Sequence, residues 1–388
     1  MRTASVRLNS LLFLCGCLGF FVAIGAASGG ECTTDSKSGV QVCPVSTSGS
    51  NRINYYDTPL YSAKFNKIVY VKKPASGPPE VTVANPDGTD EQNVGIGLDP
   101  MMGSDGLKVY FPTRSGPGEQ GADLYSYDLG SHKMSRITHV RAARVIQYSP
   151  PVHTSKGNLL VYSPGNIAYL IYDDGSENTQ LDFDDPYKSD PFHRIRMSPT
   201  HPNLIFFNRN HPGENAPLFS YDTETKKTYS VTSRATHMMW APDGIHIVYN
   251  GGPDYHFHMI KYDGTGDREL DPLVREGTAY CTYPPGRDDV VACANFDTSG
   301  HYPMPGSLFL LATDGSNRVA YLCLHNAKQE GFWGEPALHY AQDQYHLLFR
   351  SDATGDPQVY MAILPADIYN RLKAPEKGSE SPQKQPGH

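Results

Sequence analysis

The residue type best suited to proton transfer in this sequence is a histidine beside a tight turn. His237 lies three residues before Trp240, and the turn Pro242-Asp243-Gly244 then leads into an apolar run that ends at Tyr249. A neutral imidazole can accept a proton near neutral pH, so His237, at a strand–loop junction, is the candidate catalytic base. The alternative interpretation is a histidine that caps the turn.

A second group of polar residues could bind an acidic substrate. Alternation along a strand places Arg194 and Arg196 on one face, where two guanidinium groups could hold a carboxylate. His193 precedes them, and Arg234 lies in a neighbouring loop that could converge on the same point. His193, Arg194, Arg196 and Arg234 are therefore the candidate substrate-binding residues. A solvated or salt-bridged face is the alternative explanation for the arginines.

The elements that must position these residues form a repeat. Strand-like runs, most of them introduced by a Pro- or Gly-containing turn, recur every 40 to 57 residues. The anchors that mark them are Tyr70, Tyr110, Tyr162, Phe207, Tyr249, Ala292 and Phe349. Second strand pairs with Asp/Gly turns follow most of them, as expected for hairpins. Seven units at this spacing predict an all-β fold, a seven-bladed β-propeller in one domain spanning residues 52–365.

The two ends of the chain differ from the repeat. Two arginines and an apolar run from Leu11 to Ala27 predict a secretory signal over residues 1–28, with an uncleaved anchor or lipidation as alternatives. Residues 29–51 read as a linker in which Cys32 and Cys43 could form a disulfide. Residues 52–56 could close the last blade, and residues 366–388 read as a disordered tail.

The bulk properties restrict the partners. A net charge of −8 disfavours nucleic acid and anionic membranes, so an anionic ligand requires a local basic pocket. The predicted signal indicates a periplasmic or secreted protein with no transmembrane span after cleavage. We expect a monomer.

Three motifs resemble the oligogalacturonate lyases, and the repeated turns more distantly resemble the TolB-type propellers. Thr236–Gly244 is similar to the His-x-x-Trp-x-Pro-Asp-Gly stretch of the lyases, and Ser198–Phe207 and Phe349–Tyr360 are similar to other blades of that family. The resemblance implies a seven-bladed propeller that binds a small acidic oligosaccharide and cleaves pectin fragments by β-elimination. It implies that His237 is the base that removes the proton on C5 of a uronate.

The metal site implied by the resemblance is incomplete. The lyases hold manganese with histidines and a glutamine, including a His-Pro-His that is replaced here by Glu335-Pro336-Ala337. His325 matches a family histidine, so His325 and Glu335 are the candidate ligands for manganese or another divalent cation. An arginine that the family is thought to use in catalysis is replaced near Pro217.

Two functions remain open at the level of sequence. One is an exported lyase, which requires His237, Arg194 or Arg196, His325 and Glu335 to converge at one end of a central channel. The other is a non-catalytic, TolB-like binding or scaffolding propeller, in which these residues would scatter.

Overall fold

The computed structural model describes most of the chain outside its two ends. The described residues are 30–46, 48–54, 57–114, 121–141, 146–210, 217–251, 256–271, 279–295, 304–328, 336–341 and 343–373. The predicted signal peptide lies outside this part.

Alternating strand patterns and tight turns give thirty-one described strands in seven sheets. The N-terminal strands are β1 (Thr33–Thr34) and β2 (Gln41–Pro44). Blade one contains β3 (Ser50–Arg52), β4 (Tyr61–Ser62), β5 (Lys67–Lys73), β6 (Glu80–Ala84) and β7 (Gln92–Ile96). Blade two contains β8 (Met101–Met102), β9 (Lys108–Arg114), β10 (Ala122–Asp128) and β11 (Lys133–Val140). Blade three contains β12 (Gln147–Tyr148), β13 (Val152–Thr154), β14 (Gly157–Ser163), β15 (Ala168–Tyr172) and β16 (Thr179–Leu181).

The remaining blades repeat this order. Blade four contains β17 (Phe192–Met197), β18 (Leu204–Arg209), β19 (Leu218–Asp222) and β20 (Lys227–Thr232). Blade five contains β21 (Ala235–Trp240), β22 (His246–Gly251), β23 (His256–Lys261) and β24 (Arg268–Asp271). Blade six contains β25 (Ala279–Thr282), β26 (Val290–Asn295), β27 (Ser307–Ala312) and β28 (Val319–Leu324). Blade seven contains β29 (Leu338–Ala341), β30 (His346–Ser351) and β31 (Gln358–Ile363), followed by a 3₁₀ helix, η1 (Ile368–Leu372).

Each blade is an antiparallel sheet, and in blades two, four, five and six the strands follow in chain order from an innermost first strand. Blades one and three add a short strand, β4 or β13, that pairs with the second strand of the row, and blade seven takes its outer strands from the N-terminus. The architecture is a seven-bladed β-propeller in one domain, which confirms the predicted fold class. Blades bury their faces against their neighbours, so the core runs around the ring as clusters between adjacent sheets. All seven sequence anchors are buried, from Tyr70 to Phe349. The periodic apolar runs therefore mark the second strand of each blade.

The N-terminal segment closes the ring. Strand β2 pairs with β31, from Gln41 opposite Ile363 to Pro44 opposite Tyr360, so it is the outer strand of blade seven. Strand β1 pairs with β2, and a disulfide between Cys32 and Cys43 joins this segment. The residues assigned to a linker thus belong to the propeller. Of residues 52–56, which were expected to close the last blade, Arg52 pairs instead with Val71 of β5 in blade one, and residues 55 and 56 lie outside the described residues.

Two further features extend the sequence analysis. Cys281 and Cys293, which are register partners on β25 and β26, form a second disulfide. Ile368, Tyr369 and Leu372 of η1 are buried, so residues 368–372 pack on the propeller although they were assigned to the tail. No helix within the described residues is long and apolar enough to span a membrane.

Candidate functional site

His237 interrupts the innermost strand of blade five. The register of β21 on β22 shifts between Thr236 and Met239, and His237 lies inside this bulge with a φ of 47°. A left-handed backbone is uncommon for a residue with a side chain, and bulges redirect side chains near functional sites. The imidazole is half-buried and packs edge-on against Tyr280 of blade six, with 4.6 Å between ring centroids. His237 is therefore held by two adjacent blades.

Arg194 and Arg196 meet a carboxylate of the chain itself. Arg196 donates from Nε to Asp57 Oδ2 at 2.6 Å and from Nη1 to the carbonyl of Tyr148 at 2.7 Å. Nη1 of Arg194 lies 3.9 Å from Asp57 Oδ2 and donates to the carbonyl of Met238 at 3.3 Å. Both arginines are buried and face the same group, as expected for residues two apart on one strand. Because Met238 directly follows His237, this hydrogen bond brings Arg194 and His237 close together.

The carboxylate of Asp57 is buried among cationic groups. Burial alone would raise the pKa of Asp57, but the guanidinium groups of Arg196 and Arg194 hold it below its usual value. Arg52 pairs with Asp99, the second carboxylate of this group. Three guanidinium groups therefore accompany two carboxylates, and burial raises the pKa of Asp99 despite its partner.

His193 lies beside this cluster and remains exposed. Desolvation by the surrounding protein, followed by the positive charges of Arg194 and Arg196, lowers the pKa of His193 to about 4. Its imidazole is thus neutral at neutral pH and could hydrogen-bond a ligand without adding charge. Arg234 is half-buried and immediately precedes β21, three residues before His237. Both residues therefore lie near the beginning of an innermost strand.

His325 is engaged by the backbone. Its Nε2 donates to the carbonyl of Asn295 at 2.7 Å, and its Nδ1 accepts from the amide of Ala327 at 2.9 Å. Burial lowers the pKa of this histidine to about 4, so the ring is neutral and both nitrogens are used. A metal ion would have to displace one of these hydrogen bonds. Ala337, at the place of an expected ligand, supplies no donor atom from its side chain.

The described residues do not fit the manganese implied by the resemblance. Within the described ranges, no group of three or more His, Cys, Asp or Glu side chains is arranged to hold a metal ion. Glu335, the other candidate ligand, lies outside the described residues. No catalytic step is therefore assigned to a metal.

The structure brings the sequence candidates together only in part. Arg194 and His237 lie at the same end of the channel, where the innermost strands begin, and His325 follows blade six at that end. We call this the His237 end. Arg196 and Asp57, the carboxylate that both arginines face, line a pocket among the turns after the innermost strands. Sequence reasoning missed Asp57, and the signal for it was weak because its partner Arg196 lies 139 residues away.

Comparison with known proteins supports the architecture. No family model and no curated protein matches the chain. A solved oligogalacturonate lyase in complex with manganese is 14% identical, with a TM-score of 0.68, and the match covers 87% of this chain and 97% of that chain. An oligogalacturonate lyase from Vibrio parahaemolyticus gives 14% identity and a TM-score of 0.67 over the same shares. The propeller domain of the Trilobed protease from Pyrococcus furiosus is 13% identical, with a TM-score of 0.52 over 80% of this chain and 95% of that domain. At such identities the likeness shows the fold alone.

Proposed function

We propose that this protein is an exported, oligogalacturonate lyase-like propeller that cleaves small uronate oligosaccharides by β-elimination, with His237 as the base. The observation that carries the proposal is the left-handed backbone of His237 within a bulge of an innermost strand. Holding a residue with a side chain in this conformation costs free energy, and such strain clusters at functional sites. The ring contact with Tyr280 fixes the imidazole at the channel.

The chemistry requires a base and a positive charge. The neutral imidazole of His237 removes the proton on C5 of the uronate, and negative charge develops on the C6 carboxylate. The electron pair then forms the C4–C5 double bond as the C4–O bond breaks. The imidazolium of His237 returns its proton to the leaving oxygen, directly or through water, which restores the neutral base, and the product carries an unsaturated sugar.

The positive charge comes from the chain in this proposal. Arg194 lies 3.9 Å from Asp57 and donates to the carbonyl of Met238, the residue after His237, so its guanidinium group lies beside the proposed base. Charge developing on a substrate carboxylate is stabilised by preorganised cationic groups in a poorly solvated site. Arg194 with Arg234 is therefore assigned to the substrate carboxylate, and His193 to a neutral hydrogen bond.

Mass spectrometry of the products tests this proposal. Elimination splits trigalacturonate into fragments whose masses add up to that of the substrate, whereas hydrolysis adds the mass of water. We expect fragments of the first kind, lost in His237→Ala and retained in His153→Ala, which changes an exposed histidine on another blade. Fragments that carry added water would contradict the lyase assignment.

A second function is favoured by a different observation. Both ring nitrogens of His325 bond the backbone, and Arg196 bonds Asp57 and a carbonyl, so these two candidates are used by the fold. In a non-catalytic, TolB-like propeller that binds an acidic ligand, His325 and Arg196 would have this structural role alone. Calorimetry that shows binding of trigalacturonate without any cleavage would favour this function.

The location proposed is the periplasm or the exterior of the cell. Two disulfides, Cys32–Cys43 and Cys281–Cys293, support it, because disulfides persist in oxidising compartments. The monomeric state and the acidic oligosaccharide partner remain predictions.

A further inference from the structure

The ring of blades is closed by a short hairpin. Its strands, β1 and β2, are two and four residues long, and β2 pairs with β31 of blade seven. Directly after β2, the backbone amides of Val45 and Ser46 donate to the carbonyl of Val359 at 2.8 and 3.2 Å. The hydroxyl of Ser46 donates to Gln358 Oε1 at 2.7 Å. We call residues 32–44 the closing hairpin, because these contacts join it to the last blade.

The turn of the closing hairpin is fixed to blade six. The hydroxyl of Tyr321, on the outer strand β28, donates to Asp35 Oδ2 at 2.9 Å. The ammonium group of Lys37 lies 4.3 Å from the centre of the Tyr321 ring, a favourable contact between a cation and an aromatic face. Val40 is fully buried in the apolar cluster that contains Leu322. The closing hairpin therefore bridges blades six and seven.

A covalent cross-link holds the closing hairpin together. An isolated two-stranded hairpin is at best marginally stable in water, and strands as short as β1 and β2 contribute few hydrogen bonds. The disulfide between Cys32 and Cys43, which are 11 positions apart, restricts the conformations of the detached hairpin and so favours the attached one. The attachment of β2 to blade seven therefore depends on this cross-link.

The two disulfides differ in their exposure to solvent. Cys32 is exposed and Cys43 is half-buried, whereas Cys281 and Cys293 are 3% and 0% exposed inside blade six. A thiolate breaks a disulfide only by reaching one of its sulfur atoms. A reductant in solution can therefore attack Cys32–Cys43 in the folded chain, while the protein shields Cys281–Cys293.

The cysteine that remains free within the described ranges does not compete for this bond. Cys323 is 2% exposed, and burial raises the pKa of its thiol to about 12. The thiol is therefore protonated at neutral pH, and a protonated thiol is a poor nucleophile. Reduction of the exposed disulfide therefore requires a thiol from outside this part of the chain.

We propose that Cys32–Cys43 is a redox-controlled cross-link, and that its reduction by a dithiol detaches the closing hairpin from blades six and seven. One thiolate of the dithiol attacks a sulfur atom of the disulfide, which forms a mixed disulfide and releases the other cysteine as a thiol. The second thiol of the reductant then attacks the mixed disulfide, releases the remaining cysteine and leaves the reductant as a disulfide. Two electrons and two protons pass to the protein in total. The proposal concerns closure of the ring and does not depend on the lyase function.

Hydrogen–deuterium exchange of the native full chain, read by mass spectrometry, tests this proposal with dithiothreitol as the dithiol. Alkylation of the same samples with iodoacetamide identifies the reduced cysteines. We expect Cys32 and Cys43 to be alkylated while Cys281 and Cys293 stay oxidised. In that state the amides of β2 should exchange about a hundredfold faster, the effect of losing one such cross-link. Strand β19 of blade four is the internal control, and its exchange rate should not change.

A double variant, Cys32→Ser with Cys43→Ser, separates the cross-link from other effects of the reductant. We expect its β2 amides to exchange rapidly with and without dithiothreitol. The experiment on the unaltered chain decides by itself if this variant does not fold, because that chain is folded before it is reduced.

Three results would overturn the proposal. They are a Cys32–Cys43 bond that dithiothreitol leaves intact, alkylation of Cys281 and Cys293 no later than that of Cys32 and Cys43, and slow exchange of β2 after Cys32 and Cys43 are alkylated. None of them measures cleavage of a uronate, so the failure of this proposal and that of the lyase proposal are distinguishable.

Discussion

The polar residues at the two ends of the propeller channel differ in their hydrogen bonds and in their backbone conformation. At the end of the channel where the innermost strands lead into their turns, Asp57 and Arg196 bond each other and His339 bonds a backbone carbonyl, so these groups stabilise the fold. At the His237 end, a histidine is held in a left-handed conformation within a bulge. The same innermost strands supply both ends. The paired groups therefore support the fold, and the strained backbone of His237 is what leads us to propose chemistry there.

The largest effect is expected from breaking the paired charges. Asp57→Asn removes the carboxylate between Arg194 and Arg196 and leaves two buried guanidinium groups without it. We expect the free energy of unfolding to fall by about 3–5 kcal/mol, the usual cost of breaking a buried ion pair. Urea denaturation measures it. A loss below about 1 kcal/mol, typical of an exposed pair, would show that the cluster is solvated.

The buried side chain of His339 should make the free energy of unfolding depend on pH. Burial lowers the pKa of His339 to about 4 from its ordinary 6.5, so the unfolded chain binds the proton more readily. Stability is then fully present above pH 6.5 and is lost as pH falls toward 4, by at most about 1.4 kcal/mol per pH unit. His339→Gln should flatten this slope in urea denaturation at several pH values. An unchanged slope would contradict the assignment.

The smallest effect should come from the backbone of His237. His237→Gly and His237→Ala both delete the imidazole, but only glycine adopts a φ of 47° without strain. We expect the glycine variant to be more stable than the alanine variant by about 1 kcal/mol in urea denaturation. Equal stabilities would show that the bulge stores no strain.

The fold could be predicted from the sequence where strands that pair with each other are also neighbours in the chain. Periodic apolar runs and turn residues identified seven units, because each blade forms its own hairpins. The closing strand was missed because Gln41–Pro44 is short and its partner, β31, lies at the other end of the chain. Strand pairing over such a separation leaves no periodic signal. The 3₁₀ helix η1, in which Tyr369 is buried, likewise packs against residues that are distant in the sequence.

The site was predictable only for residues on a single strand. Alternation placed Arg194 and Arg196 on one face, and both approach the same carboxylate. It could not identify Asp57 as their partner, nor reveal that His325 is satisfied by the backbone of Asn295 and Ala327. Such partners come from other blades and from loops.

The most direct test of the central claim is the ultraviolet absorbance of trigalacturonate digests, with unaltered protein and with His237→Ala, in the presence and absence of manganese. Elimination creates a conjugated, absorbing uronate. We predict a rise for the unaltered protein that is abolished by His237→Ala and does not require manganese. A rise that persists in His237→Ala, or none under any condition, would contradict the assignment of His237 as the base of a lyase.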